Sequence, residues 1–393
     1  MASLFQPIVP NAQNNNTLWG GLKGPSLALA LANASTQHNR PLLVITDDVK
    51  GTIDLREELQ FFLKDCDREI VVFPDWETLP YDIFSPLPET ISERLRVLNR
   101  ASSLKKGIIL CPVSNIIKKI SPRSFVEKHS FQLTKGQKLN FHGFLRDIEQ
   151  AGYRSVSQVV SHGEFATRGS LIDIFPMGSN DPIRIDLFDN DIDSIRVFDA
   201  DTQLTKSHID KFSLLPAKEF PLDSESITNF RQSWRSFFPG NPKENLIYRN
   251  ISENSAPGGI EYYLPLFFKS IDSFFEYLPK NTIVISNESL HADINNQEEF
   301  IQKRYEQRKY DIERPILPPE YLYFNQKEIN AFIGSFHQVN YQSIKYEQVE
   351  NFEVNLLLNL TSKENTSEFL GPFKNLIKSK NKKILLVAET SGR

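Results

Sequence analysis

Three short apolar runs punctuate the first third of the chain: Pro41-Leu-Leu-Val-Ile-Thr, Glu69-Ile-Val-Val-Phe-Pro and Gly107-Ile-Ile-Leu-Cys-Pro, each closed by a turn signal. Such continuous apolarity suits strands buried on both faces, as in parallel sheets. Helical spacing fills the intervals, over Pro25 to Ser35, Gly51 to Leu63 and Ile91 to Ser103. In the last of these Ile91, Leu95 and Leu98 mark an inward stripe, and the charged Glu93, Arg94, Arg96 and Arg100 are expected outside. Strands alternating with helices predict an open parallel sheet.

From about Lys128 the period changes. After a helix around Phe141 to Ala151 come alternating strands at Ser157–Val160, Ser170–Phe175, Ile183–Phe188 and Ile192–Phe198. Tight turns at Met177 to Pro182 and Asp189 to Asp191 join them, which signals antiparallel hairpins and a distinct, inserted domain. From about Glu219 the α/β character returns. Asn281-Thr-Ile-Val-Ile-Ser reads as another buried strand, and a charged helix from about Glu288 to Glu313 ends before Pro315, Pro318 and Pro319. This segment is expected to complete the first sheet. Two further strand candidates, Asn355–Leu360 and Lys383–Ala388, flank a helix in a last piece that reads as a truncated domain. The expected divisions are 1–127, 128–217, 218–345 and 346–393.

Composition narrows the function classes. The net charge is -4 and the sequence pI about 6.1, whereas a dedicated duplex-binding protein usually carries a basic face. The densest basic run, Lys374 to Lys383, reads as a solvated helix end. Cys66 and Cys111 lack a CxxC partner or a histidine at metal-ligand spacing, so both read as buried free thiols of a reducing cytoplasm. No apolar stretch is long enough to span a bilayer, and the first residues lack a secretory pattern. A cytoplasmic protein without membrane partners is expected.

A nucleotide-driven motor is the obvious alternative for an α/β chain. The turn Trp19-Gly-Gly-Leu-Lys-Gly-Pro-Ser26 sits where a phosphate loop would. A working loop needs G-K-[ST], because the lysine reaches the phosphates and the hydroxyl holds magnesium. Here the triplet is Gly24-Pro25-Ser26, which removes both the charge and a backbone N–H. No acidic pair suited to magnesium follows the later strands, so neither ATP nor Mg is expected in this chain. His162 beside Gly163 and Glu164 suggests a hydrogen bond in a turn rather than an acid–base pair, since no third group orients it.

Several stretches then resemble one family. Phe73-Pro-Asp-Trp-Glu-Thr-Leu-Pro-Tyr-Asp, Ser92-Glu-Arg-Leu, His162-Gly-Glu-Phe-Ala-Thr-Arg-Gly, Asp173-Ile-Phe-Pro-Met-Gly-Ser, Arg184-Ile-Asp-Leu-Phe and Gly259-Ile-Glu-Tyr-Tyr-Leu-Pro-Leu-Phe-Phe run in order. Together they resemble the front part of the bacterial transcription-repair coupling factors (the Mfd family). The resemblance implies an α/β fold: a degenerate, split RecA-like parallel-sheet domain with an inserted small α/β domain on an antiparallel sheet, then a truncated α/β domain. It also implies a non-catalytic module that recruits UvrA. The polymerase-binding and ATP-driven DNA-translocase domains of the family would lie beyond Arg393. UvrB itself carries a DNA-clamping hairpin, for which the connection Pro74 to Thr90 is too short.

Within Ile183-Arg-Ile-Asp-Leu-Phe, period two sends Ile183, Ile185 and Leu187 to the core and Arg184, Asp186 and Phe188 to the opposite face. An arginine beside an exposed aromatic has the composition of a binding hot spot, and Ser194, Arg196 and Phe198 are expected to extend it. The alternative is that Phe188 tucks under the preceding helix and Arg184 pairs with Asp186 or a neighbouring-strand acid. The resemblance favours binding, and implies that Arg168, Arg184 and Phe188 contact UvrA, with Asp186 at a matching acidic position. A UvrB-like remnant with residual DNA binding is the other reading, and it predicts strongly salt-dependent affinity.

Overall fold

The computed structural model describes residues 2–11, 13–347, 349–354 and 378. The strand candidates at 355–360 and 383–388, the basic run from Lys374 to Lys383 apart from Lys378, and nearly all of the expected partial domain lie outside the described residues.

The chain opens with β1 (Asn16–Trp19), α1 (Ser26–Gln37), β2 (Pro41–Thr46), α2 (Val49–Phe62), β3 (Ile70–Val72), α3 (Pro88–Ala101) and β4 (Gly107–Pro112). It then forms β5 (Phe131–Thr134), β6 (Arg154–Ser155), β7 (Glu164–Arg168), β8 (Leu171–Ile174), β9 (Ile183–Phe188), β10 (Asp191–Phe198), β11 (Thr205–Ile209) and β12 (Lys211–Leu214). Much later come β13 (Ile283–Asn287) and β14 (His337–Tyr341).

Six strands make one parallel sheet in the order β1-β14-β13-β2-β4-β3. The chain leaves this sheet after β4 and returns at β13, directly beside β2, so the segment after Glu219 does complete the sheet begun by the first. Every residue of β2 and β4 is buried. Alternate side chains serve opposite faces: Leu42, Val44, Ile108 and Leu110 pack with α1 and α2, while Leu43, Ile45, Ile109 and Cys111 pack with the α3 side. β1 and β14 escaped the apolar pattern because Asn-Thr-Leu-Trp and His-Gln-Val-Asn-Tyr are half polar.

The intervening chain forms a second sheet, β11-β10-β9-β8-β7-β6, antiparallel except where β6 runs parallel to β7, and a separate β12–β5 pair. Its inner residues Ile172, Ile174, Ile183, Ile185 and Leu187 join the same apolar cluster as α3. The helix Phe141–Gln150 contributes Phe144 and Ile148 to that cluster.

Three expectations are corrected. Ser157–Val160 is not a strand: the Val160 and Ser161 amides both donate to the Glu164 carboxylate at 3.0 Å, which bends the backbone, and the edge strand lies earlier at β6. Cys66 is exposed in the turn after α2, while Cys111 is buried. Arg94, placed outside by its charge, is fully buried (0% exposed). Its Nε donates to Glu219 at 2.8 Å and its Nη1 to the Pro74 carbonyl at 2.7 Å, with its guanidinium 4.3 Å from the Phe73 ring centre. Glu219 also accepts from the Trp76 indole at 2.8 Å. Position three after Ile91 and four before Leu98 is an inward one. The partner that makes it tolerable lies 125 residues away.

Candidate docking face

The outer face of the second sheet is set by register. Ala166, Asp173, Arg184, Arg196 and His208 stand in one cross-strand row. Arg168, Leu171, Asp186 and Ser194 stand in the next, and Phe188 ends β9 opposite Asp191. The structure therefore brings Arg168 of β7 and Arg184, Asp186 and Phe188 of β9 onto one face. The tight turn after Phe188 makes this possible: Asp189 takes a left-handed backbone (φ 54), as two-residue hairpin loops require.

Phe188 does not tuck under a helix; it is 74% exposed. Arg168 is exposed, and its bond to the Ser157 carbonyl is long at 3.4 Å. Arg184 does not pair with Asp186. It makes a two-pronged ion pair with Asp173 on the neighbouring strand, Nε to Oδ1 at 2.6 Å and Nη2 to Oδ2 at 2.8 Å, leaving 18% of its side chain exposed. Asp186 instead accepts from Arg196 at 3.2 Å. Two arginines directly opposite each other would repel, and the two carboxylates offset this. The carboxylate of Asp173 raises the proton affinity of the Arg184 guanidinium, against the opposing effect of burial.

Phe198 departs from expectation. It is buried in a small cluster with Val159, Ala166 and Phe175, because the segments around Val159 and Ala200 cover that end of the face. It serves instead as a platform 4.7 Å beneath the Arg184 guanidinium. Asp173 was missed as a site residue, although the alternation Leu171-Ile-Asp-Ile already puts it outward.

The other marked residues are built into the fold. His162 Nε2 bonds the Ser179 carbonyl at 2.8 Å. Burial pushes the Glu164 carboxyl up, but the Val160 and Ser161 amides and Arg154 outweigh it and hold the group below the usual carboxylate range. Trp76, Tyr81, Tyr262 and Tyr263 are all buried; Tyr262 packs edge-on against Trp76 and donates to the Leu79 carbonyl at 2.6 Å.

At the turn where a phosphate loop would sit the chain fills its own backbone positions. The Gly21 amide donates to the Ile344 carbonyl at 2.9 Å and the Leu22 amide to the Gln342 carbonyl at 3.2 Å, while the Phe352 amide donates to Gly20 at 2.9 Å. A Cβ on Gly20 would meet Asn351 at 2.0 Å. The adjoining cleft, about 530 Å³, is lined by Leu22, Leu27, Glu288, Tyr341 and Ile344 among others, with a carboxylate but no cation in its lining. Phosphate binding there would displace two backbone bonds and face an anion.

Among the described residues no helix is long and apolar enough to cross a membrane. Residues 131–220 match the UvrB interaction domain family, and these residues contain the whole outer face. The chain therefore carries a UvrB-like interaction domain held by an α/β parallel-sheet body. Along its full length it is 37% identical to the transcription-repair-coupling factor of Haemophilus influenzae, covering 34% of that protein. It is 36% identical to that of Escherichia coli over 86% of the chain and 29% of the relative. With the Staphylococcus aureus factor it shares 32% identity over 63% of the chain and 21% of the relative. The chain thus matches, from end to end, about a third of a transcription-repair-coupling factor, as its sequence motifs implied.

Proposed function

We propose that this chain is a UvrA-recruiting module that links stalled RNA polymerase to nucleotide excision repair in the cytoplasm, and that it works without a nucleotide of its own. One observation carries the reading: inside the UvrB interaction domain, one sheet face gathers Arg168, the Arg184–Asp173 and Arg196–Asp186 ion pairs, and an exposed Phe188. An exposed aromatic among ordered arginines is the make-up of a protein-binding centre. The backbone bonds that fill the Gly20–Leu22 turn support the absence of ATP and Mg from the module's own chemistry. ATP-dependent translocation on DNA and contact with RNA polymerase we assign to the two-thirds of the matched relatives that this chain does not cover.

Calorimetric titration of the chain with purified UvrA tests the proposal, beside Arg168→Ala. Saturable binding that weakens about tenfold or more in the variant is expected. A folded wild-type chain that ignores UvrA but binds DNA with steep salt dependence would replace this reading by the DNA-binding remnant.

A further inference from the structure

Arg184 and Asp173 stand directly opposite each other across the β8–β9 pair. Asp173 engages both Nε and Nη2 of the guanidinium, one with each carboxylate oxygen. The Phe198 ring lies under the guanidinium plane, and Phe198 is itself immobilised among Val159, Ala166 and Phe175. On the other flank Arg196, opposite Arg184 on β10, is drawn away by Asp186. Two hydrogen bonds to one carboxylate fix the direction of the guanidinium, and the Phe198 ring packs against it. Its Nη1 makes no bond among the described residues and is not a sealed, unpaired atom. Arg168, by contrast, has only one long bond to a carbonyl. Of the three arginines on the face, Arg184 is pre-aimed, Arg196 is held by Asp186, and Arg168 makes one long bond among the described residues.

We infer that Asp173 is a positioning residue of the docking face: it sets Arg184 in its bound orientation before the partner arrives and leaves Nη1 for an acceptor, a carboxylate or carbonyl, on that partner. An arginine otherwise loses rotamer freedom on binding, and holding it in place beforehand removes that loss from the association. A planar fork held at one edge also presents the other edge with defined direction, which a lysine could not do. The inference rests on the reading that this face docks UvrA.

The test compares wild type, Asp173→Asn, Arg184→Ala and the double variant in two measurements. One is the kinetics of association with immobilised UvrA, and the other is the side-chain Nε–Hε NMR signal of Arg184 in the free chain. Asp173→Asn is expected to raise the dissociation rate about tenfold with little change in association rate, since related complexes differ mostly in koff. Adding Arg184→Ala to it should cost much less than Arg184→Ala costs alone, because the two residues act as one unit. The Arg184 signal should exchange slowly with water in the wild type and lose that protection in Asp173→Asn. Unchanged or tighter binding by a folded Asp173→Asn, with Arg184→Ala still weakened, would overturn the positioning role and leave the docking reading intact. No loss in Arg184→Ala, with wild type still binding, would overturn the inference alone, and no binding by wild type would overturn both. Should Asp173→Asn fail to fold, the wild-type signal decides, and a rapidly exchanging, averaged Arg184 side chain refutes the inference.

Discussion

Phe188 and Arg184 sit four residues apart on one strand and face the same way, yet they differ in how far sequence could place them. Period two along β9 was enough to turn Phe188 outward, and it is exposed at 74%. That Arg184 pairs with a neighbouring-strand acid was one of the readings, but which acid was not legible, because Asp173 reaches it through cross-strand register, which one strand's alternation does not contain. Arg94 shows the opposite failure. Its helical position pointed inward while its charge pointed outward, and the charge was followed; Glu219 and the Pro74 carbonyl were too distant in the chain to be counted. At this scale Phe188→Ala is expected to leave the melting temperature unchanged, since the ring is largely exposed. It should still weaken UvrA binding by roughly 2 kcal/mol, about thirtyfold, as a central aromatic anchor does. Calorimetry beside a thermal melt checks both halves.

Elements whose side chains are apolar on both faces, such as β2 and β4, announced themselves, and so did the amphipathic α3. The missed ones, β1 and β14, owe their strand state to neighbours: β14 pairs with both β1 and β13 through ladder bonds that no local apolar run requires. Polar joints between elements were equally hidden. After β3, Asp75 binds Lys118 and Ser114, which follow β4. Burial raises the Asp75 carboxyl, but the Lys118 ammonium, hydrogen bonds and Arg94 outweigh it and bring the group down to about 2. A depressed carboxyl contributes stability that is present above its ordinary value of 3.8 and lost as pH falls through about 2. Asp75→Asn should therefore cost about 3–5 kcal/mol near pH 7 by leaving Lys118 buried without its partner. The gap from wild type should narrow as pH falls from 4 toward about 2, and urea unfolding across that range reads it.

A second joint ties the inserted sheet to α3, where the Gly178 amide donates to Ser92 at 2.8 Å. Gly178 has φ of +81, and a Cβ there would meet Leu215 at 2.8 Å. Gly178→Ala is expected to destabilise the chain by about 1–3 kcal/mol through backbone strain and crowding. UvrA affinity should remain intact, because the turn lies away from the Arg168–Phe188 face. Equal affinity at low temperature with a lowered melting midpoint is the expected pair of results.

On the scale of the whole molecule, the division of labour follows from topology. The parallel sheet closes around strands drawn from both sides of the inserted segment, so the second sheet is presented on a body assembled from the chain's two ends. The change of hydrophobic period near Lys128 and its return near Glu219 made this insertion legible in the sequence. The family resemblance supplied what composition could not, a proposed partner, and the match of residues 131–220 to the UvrB interaction domain fell on the same segment. Meanwhile the Gly20–Leu22 turn is bonded to residues 342–344, and Gly20 also to Phe352. Docking is therefore proposed for the second sheet, with the parallel-sheet edge as a structural closure.

Hydrogen exchange with and without saturating UvrA tests that placement most directly. The account predicts slowed exchange concentrated in β7 to β10, spanning Glu164 to Phe198, with the Gly20–Leu22 turn and residues 342–352 unchanged. Protection centred on that turn, or spread over the parallel sheet while β7 to β10 stay as in the free chain, would contradict it.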